Sequence, residues 1–102
     1  MKVISMNTRE QYIPILRKFV SEYGAEYGIM RLGLFGSVAR GEQTETSDVD
    51  VYYEGPALGL KSLAGLPQAL SEYLGAPVDV VRGHDGLNSS LRNRIMREVI
   101  YV

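Results

Sequence analysis

The chain has 102 residues, a net charge of −1, 45% hydrophobic and 23% charged residues, and no cysteine. That balance describes one ordinary globular domain over residues 1–102, long enough for a small core. It excludes disulfides and cysteine-based metal sites, offers no basic field for direct nucleic-acid binding, and holds no apolar run near the ~18 residues of a membrane span, so a cytoplasmic protein is expected.

Residues 8–23 carry Tyr12, Ile15, Leu16, Phe19, Val20 and Tyr23 on one stripe at helical spacing, with Thr8 and Gln11 as a capping-box pair. Pro14 has no N–H to give the carbonyl of Glu10, which predicts a kink or a regular helix starting near Ile13. Gly24 and Gly28 are the stop signals. Residues 29–35 are continuously apolar apart from Arg31 and Gly33 and read as a central first strand. A Gly36-Ser37 turn follows, then a short helical segment as far as Gly41. Residues 42–46 are polar and read as exposed. Ser47 precedes a second strand over residues 48–53, closed by the Gly55-Pro56 turn.

Leu63, Leu66, Leu70 and Leu74 share a stripe within residues 58–74. Pro67 fits there as the first residue of a helix from about Leu66, after a separate turn. Gly75 is the natural stop, and Ala76-Pro77 leads into a third strand over residues 78–82. Residues 83–86 form a loop. Asn88 caps a last helix with Leu91, Ile95 and Val99 on its buried stripe and Arg92, Arg94 and Arg97 on solvated faces. Residues 99–102 are β-branched and aromatic, which predicts an extended end.

The chemistry concentrates in residues 34–52. Strand side chains alternate, so Asp48 and Asp50 share one face about 6.6–6.8 Å apart along the strand, with Val49 and Val51 on the other. Two unpaired carboxylates brought to ~4 Å at an effective dielectric near 20 repel by about 4 kcal/mol. A divalent cation removes that cost, and Mg²⁺ prefers one or two carboxylates plus substrate phosphates. Upstream, Gly36 lets the backbone approach a ligand without a Cβ, and Ser37 adds a hydroxyl at the start of the short helix. A phosphate cradle beside a carboxylate pair suits phosphoryl or nucleotidyl transfer. The bland alternatives are a plain turn and two surface carboxylates; Asp is depleted in strands, and two at i, i+2 between valines favour metal ligation.

Gly36-Ser37-x-Ala39-Arg40-Gly41 followed by Ser47-Asp48-x-Asp50 resembles the signature of the DNA polymerase beta-type nucleotidyltransferase superfamily. With Val78-Asp79-Val80-Val81 and the ending Leu91-Arg92-x-Arg94-Ile95-x-Arg97-Glu98, nearly the whole chain resembles the minimal nucleotidyltransferase (MNT) antitoxins that pair with HEPN-domain toxins. The resemblance implies an α/β (α+β) nucleotidyltransferase fold. It matches Asp79 to a third acidic site position, as a metal ligand or as the acceptor of a proton, and gives Arg40 a phosphate or loop contact. Ser47 reads as a turn residue holding the loop, with nucleotide contact as its second role. The resemblance further implies two Mg²⁺ ions, ATP as donor, and transfer of AMP to a tyrosine hydroxyl of a HEPN toxin. The rivals are a non-catalytic antitoxin that neutralises by complex formation, and transfer to a small molecule.

This chemistry sets the topology. For the Gly-Ser turn and Asp48 to meet one nucleotide, strands one and two must be antiparallel. For Asp79 to join them, strand three must lie parallel beside strand two, through the helical crossover. The expected result is a small mixed sheet with helices on one face and the carboxylates on the other.

Overall fold

The computed structural model describes residues 8–44 and 47–102. At its centre lie β1 (Arg31–Phe35), β2 (Val49–Glu54), β3 (Val78–Arg82) and β4 (Ile100–Tyr101), in the sheet order β3-β2-β1-β4. β1 and β2 are antiparallel with Phe35 opposite Asp50, and β2 and β3 are parallel with Asp50 opposite Asp79. Both orientations are those the proposed chemistry requires. The extended end also forms: β4 pairs antiparallel with β1, Ile100 opposite Leu34.

Alternation along the strands sends Leu32, Leu34, Val49, Val51 and Tyr53 to one face. Helices α1 (Arg9–Tyr27) and α3 (Leu60–Leu74) cover it, burying Tyr12, Leu16 and Phe19 from one and Leu66, Leu70 and Leu74 from the other. Each fully buried Leu or Phe contributes roughly 1.5–3 kcal/mol, so this layer dominates the core. The mixed sheet and this helical layer match expectation. The last helix, α4 (Ser89–Glu98), departs from it and lies on the other face, the face of the carboxylates. There its buried Ile95 packs with Phe35 and Tyr52. Phe35 and Tyr52 are apolar residues on the polar face, and they demand a cover of their own.

Both helical prolines sit inside unbroken helices, against the sequence expectation. α1 starts at Arg9, with Gln11 Oε1 accepting the Thr8 N–H at 2.6 Å, and runs past Gly24 to the left-handed Gly28. Pro14 and Glu10 are both exposed, so the carbonyl that loses its partner meets water. α3 starts at Leu60, well before Leu66, with the Leu63 N–H already bonded to the Gly59 carbonyl at 2.8 Å. Leu63 is 57% exposed and stands off the buried stripe, so its orphaned carbonyl too is within reach of solvent. In α4 the Asn88 side chain accepts from the Ser90 and Leu91 N–H groups, as a cap should.

Tyr52 and Glu54 brace the sheet: the Tyr52 and Tyr101 hydroxyls both donate to Glu54 Oε2, at 3.2 and 3.3 Å. Glu42 and Thr44 are exposed as expected; residues 45 and 46 of that polar stretch lie outside the described residues. Among the described residues, no helix is long and apolar enough to cross a membrane.

Candidate active site

The chain leaves β1 at Phe35 and turns at once into the five-residue helix α2 (Gly36–Arg40). Gly36 makes that turn at φ 75°. Register puts Phe35 opposite Asp50, and the Asp50 carboxylate then lies directly against the Gly36 backbone: a β-carbon on Gly36 would sit 2.1 Å from Asp50 Oδ2. Two independent demands therefore select glycine here, the left-handed backbone and the close approach.

Asp50 is half-buried, while Asp48 and Asp79 are exposed. Asp79 is the register partner of Asp50 on the adjacent strand, which puts both on one face; Asp48 immediately precedes β2. Burial raises the proton affinity of the Asp50 carboxyl, and the negative charges of Asp79 and Asp48 raise it further. Arg94 and Arg40 oppose the rise. Asp50 and Asp79 thus share one face beside the Gly36 turn, and Asp48, just ahead of β2, lies near enough for its charge to act on Asp50. Among the described residues, no group of three or more His, Cys, Asp or Glu side chains is gathered closely enough to hold a metal by itself. The all-oxygen donor set suits a hard cation such as Mg²⁺, which takes one or two carboxylates and completes its shell with water and phosphate.

Ser37 is the second residue of α2, and among the described residues no hydrogen bond reaches its hydroxyl. Arg40 ends that helix, and its guanidinium is engaged by two carboxylates: Nε bonds Glu42 Oε1 at 2.5 Å and Nη1 bonds Glu98 Oε1 at 2.7 Å. Ser47 holds a turn, its Oγ accepting the Thr44 N–H at 2.9 Å while its own N–H bonds the Thr44 carbonyl at 3.1 Å. His84 stabilises its own loop by accepting the Gly86 N–H at Nδ1.

Sequence reasoning missed Glu98. Its Oε2 accepts the Gly36 N–H at 3.0 Å, so the last helix reaches the turn directly. One signal was present: a carboxylate in the last turn of a helix opposes the macrodipole and asks for a partner elsewhere. Arg94 is the second omission. Grouped with the solvated arginines, it lies close enough to Asp50 to stabilise that carboxylate.

The nucleotidyltransferase domain family matches residues 13–102. A Thermococcus cleftensis protein named protein adenylyltransferase MntA is 37% identical over 102 residues, covering 97% of this chain and 100% of its own length. A solved structure described as a minimal nucleotidyltransferase is 37% identical and superposes with a TM-score of 0.74 over 95% of this chain and 98% of the other. At 19% identity, a structure of a tri-AMPylated Shewanella oneidensis HEPN toxin in complex with MNT antitoxin superposes with a TM-score of 0.57 over 90% of this chain and 66% of that one, a likeness of fold.

Proposed function

The chain belongs to the nucleotidyltransferase domain family, and we propose that it is a Mg²⁺-dependent protein adenylyltransferase that moves AMP from ATP to a tyrosine hydroxyl of a partner HEPN toxin and so acts as its antitoxin. The observation that supports this reading is the placement of Asp50 and its register partner Asp79 on one face beside the Gly36 turn. The kinship with a protein named protein adenylyltransferase supports protein as the acceptor, and the fold shared with the antitoxin of a HEPN complex supports the partner.

In this reading Asp48 and Asp50 hold the cation and Asp79 completes the site. Bound there, Mg²⁺ neutralises the triphosphate and the departing pyrophosphate. The Ser37 hydroxyl and the N–H groups behind it orient the phosphates, and the bare Gly36 backbone lets them come close to Asp50. Arg40 adds positive charge near the phosphates while its carboxylate partners hold it in place, and Ser47 is tied to Thr44. The acceptor oxygen attacks the α-phosphorus in line, forming the new O–P bond as the α–β bridging bond breaks and pyrophosphate leaves. Asp79, exposed and acidic, serves either as the third cation ligand or as the acceptor of the proton from the acceptor hydroxyl. ATP and Mg²⁺ are cytoplasmic reagents, and the reaction belongs in that compartment.

The test pairs Asp48→Ala with Asp50→Ala. With a HEPN toxin, labelled ATP and Mg²⁺, wild-type protein should label the toxin and protect against it. The double variant should still bind the toxin but neither label it nor protect. Full protection by the variant would instead establish neutralisation by masking, and label on small molecules alone would establish a different acceptor.

A further inference from the structure

We propose that Glu98 is a positioning residue of the nucleotide site, a clamp from the last turn of α4 that holds the Gly36–Arg40 segment in its working shape. The proposal rests on the nucleotidyltransferase reading above and assigns a role to a residue outside the acidic trio.

One carboxylate makes both contacts. Oε2 accepts the Gly36 N–H at 3.0 Å and Oε1 accepts Arg40 Nη1 at 2.7 Å. Gly36 and Arg40 are the first and last residues of α2, so Glu98 ties down the whole segment at its two ends. The Glu98 side chain is only 15% exposed while that of Arg40 is 42% exposed, so the Gly36 contact is the better shielded of the two and the Arg40 pair is open to solvent screening.

The clamp has a rigid base. One helical turn is 3.6 residues, and three residues before Glu98 stands Ile95, fully buried against Phe35 and Tyr52. Two residues after Glu98 the chain enters β4 and pairs with β1. Glu98 is therefore fixed to the sheet from both sides, and it passes that rigidity to Gly36.

Gly36 is where the consequence lies. Its backbone touches the Asp50 carboxylate, so its position sets the spacing between the phosphate side of the site and the acidic side. Because its N–H is committed to Glu98, the first donors free for a phosphate are those of Ser37. Arg40 is equally committed, and its part is to brace the loop while adding charge nearby. On the helix's own terms a carboxylate in the last turn is misplaced. The two contacts across the molecule account for it.

The experiment uses the full-length protein with Glu98→Ala, Glu98→Gln and, as a control on the exposed side of α4, Asn93→Ala. Amide hydrogen exchange at Gly36, measured without nucleotide, should accelerate at least about tenfold in Glu98→Ala and stay near wild type in Glu98→Gln, which keeps an acceptor oxygen. The KM for ATP in AMP transfer should rise about tenfold in Glu98→Ala with a smaller change in kcat, and Glu98→Gln should recover only the part carried by the Gly36 contact. Asn93→Ala should change neither. Unchanged Gly36 exchange in Glu98→Ala would overturn the proposal. So would equal losses in the Ala and Gln variants that track thermal stability alone. Should Glu98→Ala fail to fold, Glu98→Gln carries the test through Gly36 exchange alone, because its one acceptor oxygen can keep the Gly36 contact but not the Arg40 contact: protection near wild type upholds the clamp, and loss of protection refutes it. A wild-type protein that transfers no AMP would sink the functional reading alone, since the Gly36 exchange needs no nucleotide and still decides whether Glu98 holds the loop.

Discussion

Gly36 and Asp50 are packed so closely that no other residue fits at position 36: an added β-carbon would lie 2.1 Å from Asp50 Oδ2, on a backbone already at φ 75°. Gly36→Ala should combine backbone strain of about 1–3 kcal/mol with a displaced carboxylate. Gly41 is the built-in comparison, with φ 73° and nothing within 4 Å of its missing β-carbon. In urea denaturation Gly41→Ala should show the strain alone and Gly36→Ala distinctly more, and Gly36→Ala should also abolish AMP transfer. Equal midpoints for the two would refute the contact.

The pH dependence of metal-free protein should carry the mark of Asp50. Its folded-state proton affinity is raised by burial, then by Asp79 and, behind the opposing Arg94, by Asp48. A raised carboxyl favours folding while protonated. Its contribution is fully present below the unfolded value of about 3.9 and is lost as pH climbs through the higher folded value. Metal-free Asp50→Asn should therefore lose less stability than wild type over that rise and unfold at higher urea at neutral pH. Parallel stability curves for the two proteins between pH 3.5 and 7 would contradict the environment described for Asp50.

Ile95 is the only fully buried side chain of α4 among the described residues. Ile95→Ala should cost about 2–5 kcal/mol through the cavity it leaves. Because the same helix carries Glu98, the variant should also loosen the Gly36 amide ahead of global unfolding. Hydrogen exchange by residue would show it; a uniform loss of protection across the chain would not fit.

Pro67 lies in the middle of α3 and leaves the Leu63 carbonyl without its helical partner. Pro67→Ala restores that bond and should raise stability by about 1–3 kcal/mol, with no effect on nucleotide turnover. A lower midpoint would mean that the packing of the ring outweighs the missing bond, since Pro67 also lines a 310 Å³ apolar pocket with Tyr53, Leu66 and Val80.

The sheet was legible because its signals are local and strong. Residues 78–82 form a strand as read, Asn88 caps as read, and the orientations of β1, β2 and β3 follow once the Gly36 turn and the acidic residues must meet. The prolines were misjudged because their cost depends on where the orphaned carbonyl ends up, and exposure at Glu10 and Leu63 is a tertiary fact. The side of the sheet chosen by α4 was likewise hidden. It is decided by Phe35 and Tyr52 needing cover, and strand periodicity alone does not say which distant helix supplies it. Glu98 escaped for the same reason: its partners lie 62 and 58 residues away in the chain.

β3 is one of the two edge strands of the sheet, hydrogen-bonded among the described residues to β2 alone, and Asp79 stands exposed upon it. One member of the acidic trio is thus presented at a rim instead of at the bottom of a cleft. A bulky acceptor can come in edge-on and bring a single side chain to that rim without unfolding or threading a tunnel. Such an approach suits a hydroxyl carried by another folded protein.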